Sequence, residues 1–139
     1  MSEPGLGADH VINYKQQESW GEEVRKQTGG RGVDHVIEVG GPGTLPQSIT
    51  ACCIGGHIAL IGVLTGFAGT VPTVMLMDRH QKLQGLTVGS RQQQIEMIRA
   101  IEAIKLKPVI DRVYALTELA AAFRHEEKGA HFGKLCIQI

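Results

Sequence analysis

Residues 57–64 read His-Ile-Ala-Leu-Ile-Gly-Val-Leu, apolar at nearly every position and preceded by Gly55-Gly56. A strand with one wet face alternates polar and apolar residues. A nearly continuous apolar strand is covered on both faces, as in a parallel sheet flanked by helices. Parallel neighbours cannot be joined by a tight turn, so such a sheet also demands crossover connections, usually helices. The rest of the chain must therefore alternate strands with helices.

It does. His10–Tyr14 is short and β-branched, so it is expected as a first strand. Ser19 followed by Glu22 has the spacing of a capping box and predicts a helix over 20–28, stopped by Gly29-Gly30. Val33–Val39 is a second strand, broken by Gly40-Gly41-Pro42-Gly43. Thr44 and Gln47 form a second capping box, and Leu45, Ile49, Cys52 and Cys53 then share a helical face up to Gly55-Gly56. After the third strand at 57–64 comes a loop, then an apolar stretch at 71–77 of undetermined type, then a strand over 83–88. Ser90 caps the clearest amphipathic helix, in which Ile95, Ile98, Ile101 and Ile104 recur every third residue. A short strand at 109–114, a helix capped by Thr117 and running to about Lys128, and a terminal strand at 135–139 complete the chain. This order predicts an α/β fold with a mainly parallel sheet.

Composition narrows the function. Lys+Arg and Asp+Glu are 14 each, so no basic field draws nucleic acid or an anionic membrane. No apolar run reaches the roughly 18 residues of a membrane span, and the polar, glycine-rich start does not read as a secretory signal. A cytoplasmic protein is expected. Cys52, Cys53 and Cys136 show no CxxC spacing and read as small buried hydrophobes. The six histidines include no HxxxH or HExxH pair, so no metal ligands are expected. No nucleophile–base–orienter triad can be assembled from spacing, so no catalytic residue is assigned.

Four stretches in register carry a family resemblance: Gly7–Tyr14 (GADHVINY), Val36–Ser48 (VIEVGGPGTLPQS), Gly55–Gly66 (GGHIALIGVLTG) and Ala130–Ile137 (AHFGKLCI). Together they resemble the medium-chain dehydrogenase/reductase superfamily, most closely its zinc-type alcohol dehydrogenase and quinone oxidoreductase branches. The resemblance implies the C-terminal nucleotide-binding part only. Residues 1–139 then form a single truncated Rossmann-like domain, with 109–139 resembling the return to the catalytic domain. In the family the segment like GADHVINY is the third strand of the sheet. The first two strands, and the Gly-rich loop that holds pyrophosphate at a helix N-terminus, come before it. Gly5-Leu6-Gly7 lacks the third glycine of that loop and reads as a turn.

The resemblance also implies site residues. Tyr14 matches a tyrosine beside the 2′-phosphate of NADP, or is a strand-end tyrosine with a wet hydroxyl. Gly40 and Gly41, and Gly62, Val63 and Leu64, follow strands whose family counterparts face ribose and nicotinamide. Ser90 and Arg91 match a segment near nicotinamide and pyrophosphate, where Arg91 would pair a phosphate or just cap and solvate the helix start. Lys134 would reach the same region, or be an exposed lysine. NAD or NADP is the implied cofactor of the full-length family, with weak binding or none expected from this chain. The implied activity is that of an NAD(P)-dependent oxidoreductase, expected to be absent from the chain alone. A non-catalytic dimerisation or subunit-pairing module, or a gene remnant, stays open. The first strand is expected to shift and pair with the second, and a homodimer is expected through residues 71–88.

Overall fold

The computed structural model describes residues 7–139, which fall into two compact units meeting at 88/89. Gly5 and Leu6 of the glycine-rich turn lie outside the described residues.

In the first unit, helix α1 (Trp20–Gln27) precedes strand β1 (Val33–Glu38). Helix α2 (Leu45–Ala51), strand β2 (Cys52–Leu60), helix α3 (Thr73–Asp78) and strand β3 (Lys82–Gly85) follow. The strands form one parallel sheet in the order β1-β2-β3. The near-continuous apolar run is central, as its double-sided cover requires: Ile58 is fully buried. It packs with Leu45, Ile49 and Cys52 into one core, closed by Val36, Val71, Met75, Leu76 and Leu83. The apolar stretch of undetermined type thus supplies α3, whose inner side lies on that core.

Several local expectations give way to tertiary contacts. Helix α2 ends at Ala51, and Cys52 and Cys53 open β2 instead of extending the helix to Gly55-Gly56. The buried carbonyls at this helix-to-strand change find distant donors. Arg79 Nη1 donates to Thr50 O (2.7 Å), and Gln81 Nε2 donates to Cys52 O (2.8 Å) and Ile49 O (3.0 Å). Ser19 precedes α1 but makes no side-chain cap. Thr44 precedes α2 without capping it, because its hydroxyl is committed to Glu38. Gln47, the partner expected of Thr44, instead accepts from Gly21 N at 2.8 Å and ties α1 to α2. That contact leaves no room for a side chain at position 21, where a Cβ would sit 2.5 Å from Gln47 O.

His10–Tyr14 is not a strand, and it does not pair with β1. It runs as irregular backbone into a turn at Tyr14–Gln16. A strand is held by its ladder, and this segment stands across an open space from the outer edge of β1, so no ladder forms between them. The far edge of β1 is consequently unpaired among the described residues. An open space of about 700 Å³ lies between that edge and segment 7–14.

The second unit contains helix α4 (Arg91–Ala103), strand β4 (Ile110–Ala115), helix α5 (Leu119–Glu127) and strand β5 (Lys134–Gln138). Strands β4 and β5 form a parallel pair with α5 as the crossover. Ser90 caps α4 as its sequence predicts, accepting from Gln93 N while Gln93 Oε1 accepts from Ser90 N at 2.7 Å. The isoleucine stripe of α4 is not covered within this unit: the helix buries none of its residues. Thr117 does not cap α5. A single 3-10 turn at Leu116–Glu118 intervenes, and Glu118 accepts from Ala115 N at 3.0 Å. The architecture is the expected α/β one, with parallel sheets flanked by helices.

Ile49 has no exposed surface and touches both helix and sheet. Ile49→Ala is expected to cost about 2–5 kcal/mol of stability. Ile98, half-exposed on α4, is expected to cost about 0.5 kcal/mol or less on the same substitution. Urea titration followed by the fluorescence of Trp20 checks the first, and circular dichroism the second.

Candidate functional site

In open parallel sheets the carboxyl ends of the strands carry ligands, because loops there leave adjacent strands in different directions. Here β1 and β2 end side by side and are tied together beyond their last ladder pair. Ile61 N donates to Glu38 O (2.9 Å), and Thr65 N donates to Gly40 O (2.8 Å). Thr65 Oγ1 also donates to Gly40 O (2.8 Å) and accepts from Gly43 N (2.8 Å). One threonine side chain thereby joins the two exit loops.

Beneath this junction sits a carboxylate. Glu38 is only 3% exposed, and such a group is costly to bury unless its lone pairs are filled. They are filled. Gly40 N (2.7 Å), Gly41 N (2.9 Å) and Thr44 Oγ1 (2.6 Å) all donate to Oε1. Ser48 Oγ donates to Oε2. Two donors come from the turn and two from the start of α2, one helical turn apart. Gly41 turns with φ +84°, and a Cβ there would lie 3.0 Å from Val63 Cα, so no other residue fits easily. At Gly62 the backbone of Val39 occupies the place of a Cβ.

Of the residues anticipated from sequence, Tyr14, Gly40 and Leu64 line the 700 Å³ space beside this junction, with Glu38, Thr44 and Ser48. Gly41, Gly62 and Val63 lie against one another at the strand-end junction and do not line that space. Ser90 and Arg91 lie in the second unit, at the start of α4. Lys134 lies in that unit too, at the start of β5, where its backbone N donates to Val109 O (2.9 Å). The residues that spacing did not single out for the site are Thr44, Ser48 and Thr65. In one dimension they show only as a carboxylate that ends a strand with hydroxyls six and ten residues later, a pattern that does not by itself mark a site.

The cysteines behave as packing residues. Burial pushes the Cys52 thiol up, which disfavours the reactive thiolate. Cys53 is buried with Sγ 3.6 Å from Asp34 Oδ1, and all three are free thiols. Among the described residues no group of three or more His, Cys, Asp or Glu side chains converges as metal ligands would.

A parallel sheet whose paired strand ends form a glycine-rich, hydroxyl-lined edge is what the family comparison matches. The model of the zinc-binding dehydrogenase family covers residues 6–137. The chain belongs to that family. A zinc-type alcohol dehydrogenase-like protein of Schizosaccharomyces pombe is 38% identical over 96% of this chain and 40% of its own length. An NAD-dependent alcohol dehydrogenase of Sulfolobus acidocaldarius is 31% identical over 96% of this chain and 38% of its own. The crystal structure of an NAD-dependent alcohol dehydrogenase, 36% identical, superposes with a TM-score of 0.81 over 96% of this chain and 39% of that one. The chain thus spans about 40% of the length of its curated relatives, and its fold is that of their Rossmann-like cofactor domain.

A nicotinamide dinucleotide can be tested against the junction itself. The space is lined by backbone, hydroxyl and apolar groups, with Asp9, His10, Gln27 and Glu38 among them, and these suit a ribose and a planar base. Its lining includes no lysine or arginine, so it does not suit a pyrophosphate.

Removing either hydroxyl leaves a Glu38 oxygen short of a donor. Thr44→Val and Ser48→Ala are each expected to destabilise the first unit by about 1–3 kcal/mol. Urea titration on Trp20 fluorescence reads this directly, and a loss within error of zero would mean that water replaces the missing hydroxyl.

Proposed function

We propose that the chain is the cofactor-domain portion of an NAD(P)-dependent oxidoreductase of the alcohol dehydrogenase or quinone oxidoreductase type. Taken alone, it contributes cofactor contacts and no turnover. The observation that carries this reading is the locked pair of strand ends at Gly40–Gly41 and Gly62–Leu64, in a domain that superposes on an NAD-dependent alcohol dehydrogenase. Hydride transfer is chemistry that a nicotinamide supplies when bound. The protein's part is to hold and orient it. In this reading Gly40, Gly41, Gly62, Val63 and Leu64 present backbone to the ribose–nicotinamide end, and Tyr14 lies at the adenosine end. Within the second unit, Ser90, Arg91 and Lys134 are the candidates for contacts to a phosphate. Residues 1–139 then act as one dinucleotide-binding domain, with 109–139 as the return to a catalytic domain, in a cytoplasmic enzyme.

The expected consequence is weak dinucleotide affinity and no catalysis by the 139-residue chain. With no lysine or arginine among the described residues that line the 700 Å³ space, NADP titrated calorimetrically is expected to show no micromolar site. Saturable oxidation of NADH or NADPH with small aldehydes or quinones would contradict the reading.

A second role, self-association, is supported by a specific observation. The outer edge of β3 is unpaired among the described residues, and apolar side chains lie exposed beside it. Val74 is 63%, Met77 68% and Val88 89% exposed. Such a surface favours contact with another chain. We propose a two-fold dimer through residues 71–88. Light scattering at micromolar concentration is expected to give twice the chain mass, and Met77→Lys to return it to the monomer. A parent chain that is monomeric under these conditions rules the dimer out.

A further inference from the structure

Away from the strand-end junction, the second unit gathers positive charge over a shallow pocket of about 340 Å³. Arg112 reaches it from β4. Arg124, His125 and Lys128 reach it from the end of α5, and Ala121 and Tyr114 complete the lining. None of the three permanent cations makes an ion pair or donates a side-chain hydrogen bond among the described residues, although ion pairs do form elsewhere in the chain.

The floor of the pocket is built. Tyr114 is buried, and its hydroxyl lies 2.9 Å from His125 Nδ1. If the hydroxyl donates, the imidazole proton sits on Nε2 and remains free as a donor. The His125 ring is also held edge-on by His131, with centroids 5.8 Å apart. The Arg112 guanidinium stands 5.8 Å from the centroid of the Tyr114 ring, a cation–π distance that restrains it over the pocket. Cations in the last turn of a helix are ordinary, because the dipole there favours them. That explains Arg124, His125 and Lys128 on α5. It does not explain Arg112, which comes from a strand and adds a further positive charge to the same place. Of the nearby carboxylates, Asp111 accepts from Phe132 N, Glu118 accepts from Ala115 N, Glu126 lines a separate pocket with Lys134, and Glu127 forms no ion pair with the pocket cations among the described residues.

We propose that this pocket is a binding site for a small, doubly charged oxyanion, such as the phosphate or sulfate group of a small molecule. Two guanidinium forks, an ammonium and an imidazole N–H offer planar and point donors to tetrahedral oxygens. Arginine suits that geometry and lysine tops up the charge. The site lies wholly within the second unit. It does not involve the strand-end junction and does not depend on the dinucleotide reading.

The test is titration of the full chain with inorganic phosphate, followed by amide and imidazole NMR shifts. Sodium chloride at matched ionic strength serves as the control. Saturable shifts centred on Arg112, Tyr114, Arg124, His125 and Lys128 are expected, with little response to chloride. Arg112→Gln and Arg124→Gln are exposed changes that leave the fold intact. Each is expected to weaken phosphate binding by about tenfold, the loss of one charge-assisted contact. Arg99→Gln, on α4, is expected to leave it unchanged. Tyr114→Phe, which frees the His125 ring, is expected to weaken binding while every charge is kept. Shifts that grow linearly, that chloride reproduces, or that survive both pocket arginine substitutions would overturn the proposal.

Discussion

The buried carboxylate of Glu38 is the constraint on which the first unit turns. An acidic group at 3% exposure would be costly without partners, and the chain meets that requirement by shape. Two consecutive amides of the turn and two hydroxyls at the start of α2 all point at it. Because those donors belong to the loop and the helix that follow β1, satisfying Glu38 fixes where α2 begins. It also fixes the direction in which the β1 loop leaves the sheet. Gly62 and Thr65 then lock the β2 loop against the same backbone. The strand-end edge is therefore pre-organised before any ligand arrives.

That organisation is concentrated. The core is small and lies where α2, α3 and the three-stranded sheet meet. Away from it the chain leaves apolar groups in the open: Ile37 on β1, whose outer edge is unpaired among the described residues, Val74 and Met77 on α3, Ile98 on α4 and Ile104 just after it. A soluble domain usually covers such groups, and a chain spanning about 40% of its relatives' length has surfaces that those relatives' remaining residues could cover. The proposed dimer covers only those near β3.

The α/β class, the parallel pairing and the crossover helices were legible because apolar periodicity and glycine breaks are strong, distributed signals. The Ser90 cap was legible for a different reason: the amide it accepts from lies three residues on, at Gln93, and nothing else competes for that hydroxyl. The same spacing failed at Thr44–Gln47, where distant groups compete. Glu38 takes the threonine and Gly21 takes the glutamine. Cys52 and Cys53 look helical in isolation, yet pairing with Val33 draws Cys52 into the sheet. His10–Tyr14 has strand composition but lies across an open space from the outer edge of β1, and a ladder is not a property of one segment. For the site, the glycines were visible as turn residues. The Glu38 cluster was not, because a carboxylate accepting bonds from its own turn looks, in one dimension, like any acidic residue at a strand end.

Native-state hydrogen exchange at Gly40 and Gly41 tests this account most directly. Both amides sit in a loop next to an open space, where exchange is ordinarily fast. If they donate to a buried Glu38 carboxylate, they exchange as slowly as the amides of β2, and Glu38→Ala accelerates them toward loop rates. Fast exchange of both amides in the unmodified chain would contradict the account.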